Sequence, residues 1–146
     1  MKIVNKRATF DYTLLDSFEA GINLFGQEVK AIRLGHADLT SSYARIIGGE
    51  VHLINAKVFP YEFARTEDYN QSRTRKLLLH KKQILSLKSK MDASNLTIVP
   101  VSIYTTHNLI KVELALAKPK KQFDKKAKIK KRDLDRDLDR AVKAYS

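Results

Sequence analysis

The chain has 146 residues, 43% of them hydrophobic, 30% charged, and a formal net charge of +12, enough for one packed domain with an extension. Cysteine is absent, which excludes a disulfide framework, and no apolar run approaches the roughly 20 residues that span a bilayer. So basic a balance points to a polyanion, and nucleic acid is favoured over an anionic membrane because the basic segments lack a bulky aromatic face.

The start, MKIVNKRATF, lacks the apolar stretch of a signal peptide, and a cytoplasmic location is expected. Residues 10–25, FDYTLLDSFEAGINLF, are rich in β-branched and aromatic residues and predict strand. A short helix is expected over residues 27–34, with Phe25, Val29 and Ile32 on one side, Lys30 and Arg33 on the other, and Gly35 as its stop. Glu28 then falls in the first helical turn, where a carboxylate complements the helix dipole. SYARIIGGEVHLINAKVF predicts a hairpin turning at Gly48 and Gly49, where positive φ is needed. A longer helix is expected over residues 74–91, where Leu77, His80, Ile84, Leu87 and Met91 recur at three and four residues and Leu78 and Leu85 widen the stripe. LTIVPVSIYTTHNLIKVELALA predicts a second hairpin with a longer loop at TTHN, and Pro100 marks an edge or a bulge. The pattern is mainly β with helices. It fits a small β-barrel of the oligonucleotide-binding kind with flanking α-helices over residues 1–117, followed by a basic C-terminal tail, residues 118–146.

That tail holds twelve Lys or Arg and five Asp, leaving +5 on the body. Its first part, residues 118–132, has nine bases and one acid, so a helix there would stack like charges and is expected only when a polyanion neutralises them. Free, it is expected to be disordered. Further on, Leu134, Leu138, Ala141, Val142 and Tyr145 form a helical stripe, and Asp133–Arg136 and Asp137–Arg140 can pair. A helix from Lys120 to the end would reach about 40 Å at roughly 1.5 Å per residue.

Signals for catalysis are weak. Gly21 and Gly26 have the spacing of a phosphate loop, but Gln27 and Glu28 stand where Lys and Ser or Thr should follow. His36, His52, His80 and His107 lie far apart in the sequence and match no metal pattern. No catalytic set, metal site or cofactor is predicted, and the expectation is a protein that is not an enzyme. Basic clusters carry more information: Lys2, Lys6 and Arg7; Lys30 and Arg33; and Arg73, Arg75, Lys76, Lys81 and Lys82. Each alone is an ordinary solvated face. Together, beside a basic tail and with aromatic residues interleaved, they point to RNA.

Three segments are specific enough to suggest a family: NKRATFDYTLLDSFEAGINLFGQEVKAIRLGHADLTSSYARI, SRTRKLLLH and VELALAKPKKQFDKKAKIKKRD. Across residues 4–132 the chain resembles the small protein B family, the SsrA-binding proteins of bacterial trans-translation. The resemblance implies a β-barrel that binds the tRNA-like domain of transfer-messenger RNA, assists its charging by alanyl-tRNA synthetase, and travels with it and an elongation factor to stalled ribosomes. It further implies RNA contacts from Asn5, Glu19 and Leu78, beside the basic candidates Lys6, Arg7, Lys30, Arg33, Arg75 and Lys76. On the residues alone, Asn5 also suits a polar loop, Glu19 an ordinary strand-edge acid, and Leu78 a core position. In the tail the resemblance implies ribosome contacts from Lys120, Lys121, Phe123, Asp124, Lys125, Lys126, Ile129, Lys130 and Arg132, with the tail helical in the small-subunit decoding centre and the empty message channel. Pro119 stands where the family usually has Gly, and Lys126 where it has Arg, which removes a planar bidentate donor. A monomer is expected. The competing readings are a ribosomal or initiation-factor-like RNA-binding barrel without a rescue role and, more distantly, a nuclease.

Overall fold

The computed structural model describes residues 2–62 and 68–120. The order of elements is β1 (Lys2–Val4), α1 (Ala8–Asp11), β2 (Tyr12–Ile22), α2 (Gly26–Arg33), β3 (Ala37–Asp38), β4 (Tyr43–Ile47), β5 (Glu50–Ile54), β6 (Lys57–Val58), β7 (Arg75–Leu78), α3 (Lys81–Ser94), β8 (Thr97–Thr106) and β9 (Leu109–Pro119). Seven strands form one antiparallel sheet in the order β1-β8-β4-β5-β7-β2-β9, and β9 also pairs with β8. That last pairing closes a six-stranded barrel and leaves β1 as an added strand on β8. Closure removes the exposed edges an open sheet of this size would present.

Alternation along each strand fills the inside. Val51 and Leu53 on β5, Leu77 on β7, Ile98 and Ile103 on β8, and Val112, Leu114 and Leu116 on β9 are all buried. Ile32 of α2 and Leu87 of α3 join the same cluster, with Ile84 and Met91 packed against it. The expected turn at Gly48 and Gly49 is present, with φ of +59° and +79°. The second hairpin is tighter than its sequence suggests. Thr106 pairs with Leu109, so the turn is only His107 and Asn108, at φ of 47° and 64°. Asn tolerates this left-handed conformation better than most side chains, which makes a two-residue turn accessible without glycine. The Pro100 bulge is also present, as a register shift between Pro100 and Ser102.

The helix expected over residues 74–91 is replaced by two elements. Residues 75–78 are strand β7, paired with β5 and β2, and the helix starts only after His80, an extended residue at φ −68°, ψ 147°. Two periods overlap here. Leu77, Ile84, Leu87 and Met91 fit a 3.6-residue repeat, yet Arg75 and Leu77 are buried while Lys76 and Leu78 are exposed, the period-two pattern of a strand. Barrel pairing decides between them.

Candidate nucleic-acid interface

Strand register carries residues distant in sequence onto one outer row of the barrel. Lys2 pairs with Tyr104, Tyr104 with Lys111, Lys111 with Gly21, and Gly21 with Leu78. Registered partners on neighbouring antiparallel strands project to the same side, so these five residues cross β1, β8, β9, β2 and β7 in a line. A second row lies beside it, Val4 to Ser102 to Glu113 to Glu19. Leu78 is 52% exposed, far more than an isolated core leucine would tolerate. Gly21 makes its position possible: a Cβ there would sit 3.2 Å from Leu78 Cβ, so the missing side chain lets Leu78 lie across β2. Glu19, Gly21, Leu78, His80, Gln83 and Lys111 line one shallow depression, and Glu19 also borders the next, with Lys2, Tyr104 and Glu113.

Within this face Tyr104 O–H donates to Glu19 Oε2. Burial and that bond to the carboxylate push the Tyr104 phenol up to about 12, so it remains a donor at any ordinary pH. The glutamate is thereby fixed on one side, leaving its other oxygen to accept from an amino or hydroxyl group of a ligand. Tyr104, Lys111, Lys2 and Gly21 did not emerge from sequence as a set. Only register brings them together, although the strand pattern of residues 97–116 and the length of the hairpin carried part of that signal.

The other candidates fall into three groups. Lys6, Arg7, Lys30, Arg33 and Lys76 are exposed. Arg7 pairs with Asp11 at 3.3 Å, Lys76 with Glu50 at 2.5 Å, and Arg33 Nη2 donates to Asn108 O at 3.1 Å. Such exposed contacts exchange readily for phosphate. Asn5 is 7% exposed; its Nδ2 donates to Pro100 O at 2.9 Å and its Oδ1 accepts from Arg7 N–H at 3.2 Å. It ties the segment after β1 to the bulge of β8, so its buried side chain has a structural use. Arg75 is the clear correction, because its side chain is fully buried and unavailable to a bound chain. Its donors are occupied by Glu28 Oε2 (2.8 Å), Ala56 O (2.8 Å), Arg73 O (3.0 Å) and Gln71 O (3.0 Å).

Glu28, expected as a dipole complement, is the other half of that buried pair. It is 1% exposed and receives Arg75, Arg73 Nη2 at 2.5 Å and the Phe25 N–H at 2.9 Å. Burial alone would raise its pKa, but the bonds from Arg73, the Phe25 N–H and Arg75 outweigh this and hold the carboxyl below the usual glutamate range. The tail root is also anchored. Lys120 N–H donates to Asp11 O at 3.0 Å, and Lys120 Nζ to Thr9 O at 2.7 Å. Lys121, Phe123, Asp124, Lys125, Lys126, Ile129, Lys130 and Arg132 lie outside the described residues.

A closed barrel whose outer face carries neighbouring rows with Lys, Tyr, Glu and an exposed Leu places the chain in the class of small β-barrel proteins of the oligonucleotide-binding kind. The family model for SmpB protein matches residues 2–144. The chain is 45% identical over 145 residues to an SsrA-binding protein of Chlorobium chlorochromatii, covering 99% of this chain and 92% of that one. It is 43% identical over 147 residues to an SsrA-binding protein of Flavobacterium johnsoniae, covering 100% and 97%. A chain in a solved structure described as "tmRNA-SmpB: a journey to the center of the bacterial ribosome" superposes with a TM-score of 0.69 at 43% identity, covering 83% of this chain and 85% of that chain. The chain belongs to the SmpB protein family.

Proposed function

We propose that this protein binds the tRNA-like domain of transfer-messenger RNA and brings that RNA to stalled ribosomes for trans-translation. The observation that carries the reading is the outer face on which Glu19, Leu78, Lys111 and Tyr104 converge, with a hydrogen-bond acceptor and an apolar side chain presented side by side. Related chains named as SsrA-binding proteins and a structural neighbour described with tmRNA and the ribosome support it. The RNA partner is read through contacts rather than transformed, so the protein acts without catalysis. It works as a monomer in the cytoplasm, and the RNA complex engages the elongation factor and alanyl-tRNA synthetase.

The RNA-binding body in this reading comprises residues 1–117 extended by Lys118 and Pro119, which pair with β2 as the end of β9, and the chain beyond them is the ribosome-binding tail, helical in the decoding centre and message channel. The tail's charge supports this division, since nine bases against one acid over residues 118–132 suit a path lined by phosphates. Sequencing the RNA that copurifies with the full chain tests the reading. A dominant transfer-messenger species is expected; ribosomal RNA alone would favour a ribosomal barrel protein without a rescue role.

A further inference from the structure

Phe25 is exposed on the surface yet fixed from two directions. The residue is 54% exposed. Its main-chain N–H donates to Glu28 Oε1 at 2.9 Å, and the Arg73 guanidinium carbon lies 4.0 Å from the ring centroid. Arg73 is itself tied down: Nη2 is 2.5 Å from Glu28 Oε1 and 3.3 Å from Asn23 O, and Nε is 3.2 Å from Glu28 Oε2. One buried carboxylate therefore holds both the backbone of the aromatic residue and the cation stacked on its ring. With one face covered by the guanidinium, the solvent-facing area of the ring lies on its other face and edge. Next to it, a Cβ added at Gly26 would meet nothing within 4 Å, so approach is open.

The ring stands just beyond the end of β2 and next to β7. Glu19 and Asn23 are exposed while Ala20 is buried, and Phe25, at φ −76° and ψ 158°, is still extended. Residues 19 and 21 of β2 project to the side of Leu78, and Asn23 and Phe25 follow just past the end of that strand. Phe25 caps the start of α2, a few residues past the end of the strand that carries Glu19. The space between is bordered by β7, whose Lys76 O accepts from Asn23 N–H and whose Lys76 side chain is exposed.

We infer that Phe25, backed by Arg73, is a stacking platform for an unpaired nucleobase of the same RNA that Glu19 and Leu78 engage; the inference rests on the function proposed above. A flat ring held from behind loses little freedom when a base lands on it, and every base has a π-face to offer. The positive charge behind the ring suits an electron-rich partner in a polyanionic chain. An apolar peptide is a poor fit, because the ring rests on the charged guanidinium of Arg73.

The test is equilibrium binding of the full chain to the tRNA-like domain of transfer-messenger RNA across a series of salt concentrations. Phe25→Ala is expected to weaken binding on the order of tenfold with the salt slope unchanged, because no phosphate contact is lost. Phe25→Trp should bind within about twofold of the parent, and Phe25→Leu as weakly as Phe25→Ala, on the stacking rule. Unchanged affinity for Phe25→Ala, or equal rescue by Leu and Trp, would overturn the platform. Glu19→Ala and Leu78→Ala are measured alongside. If they weaken binding while Phe25→Ala does not, the platform alone fails; if neither weakens binding, the interface itself is misplaced and the platform falls with it.

Discussion

Replacing Glu28 by Gln should be the most damaging single-atom change in the barrel. The carboxylate is 1% exposed, and it is ion-paired with both Arg75, itself 0% exposed, and Arg73. Gln keeps the shape but removes the charge and turns one acceptor into an NH2 that faces guanidinium donors. Arg75 cannot swing into water to relieve this, because its remaining donors are bound to the carbonyls of Ala56, Arg73 and Gln71. Removing one member of a buried pair costs about 3–5 kcal/mol, a large part of the roughly 5–15 kcal/mol that holds a domain together. For a chain of this size the melting temperature should fall on the order of 10–20 °C. Urea unfolding followed by circular dichroism gives the number directly. A loss below about 1 kcal/mol, the scale of an exposed ion pair, would refute the buried-network account. The same carboxyl gives a pH signature. Its folded pKa is depressed, so between the folded and unfolded values the unfolded chain holds the extra proton and stability rises with pH. The contribution is complete above the ordinary glutamate value of about 4.3 and is lost as pH falls through the folded pKa, and Glu28→Gln should flatten that part of the acid-unfolding profile.

Gly21→Ala should leave the barrel folded, with a cost near 1 kcal/mol or less, but should displace Leu78 and weaken RNA binding; in a Leu78→Ala background it should do nothing more, and an additive loss would disprove the mechanism. Asn5→Ala should lower stability by about 1–3 kcal/mol by leaving the Pro100 carbonyl without its donor, a loss that thermal unfolding reads; an unchanged melting temperature would return Asn5 to the list of surface contacts. Ultraviolet titration should show one tyrosine ionising near 12, removed by Tyr104→Phe and shifted down by Glu19→Gln; because that phenol keeps its proton longer when folded, stability should decline as pH climbs from the ordinary tyrosine value toward the folded one. Ending the chain after Lys120, which keeps the contacts to Thr9 and Asp11, should spare binding of the tRNA-like domain and abolish tagging on stalled ribosomes, as a tagging assay would show.

Much of the barrel was legible because barrel strands write their burial in period two. Gly48 and Gly49 announced their turn because glycine reaches positive φ without strain, and Pro100 its bulge because proline cannot donate to the ladder. The misreading at residues 74–91 has a definite cause. A strand of four residues followed by a helix leaves too short a period-two signal, and Leu77 and Leu78 match both repeats. Glu28, Arg73 and Arg75 were hidden for another reason: a buried ion pair looks in sequence like surface charge, and only the 47-residue separation closed by folding reveals it. The candidate interface was visible in part. Glu19 and Leu78 came from resemblance, while Lys2, Tyr104 and Lys111 needed the strand register to join them.

The central claim is that the outer face around Glu19 and Leu78 holds transfer-messenger RNA. A binding titration of the tRNA-like domain against the full chain and the Glu19→Ala/Leu78→Ala double variant, at one fixed salt concentration, tests it most directly. If each side chain contributes about 1–3 kcal/mol, the double variant should bind at least about tenfold more weakly while unfolding at the parent temperature. Equal affinity in a folded double variant would contradict the account.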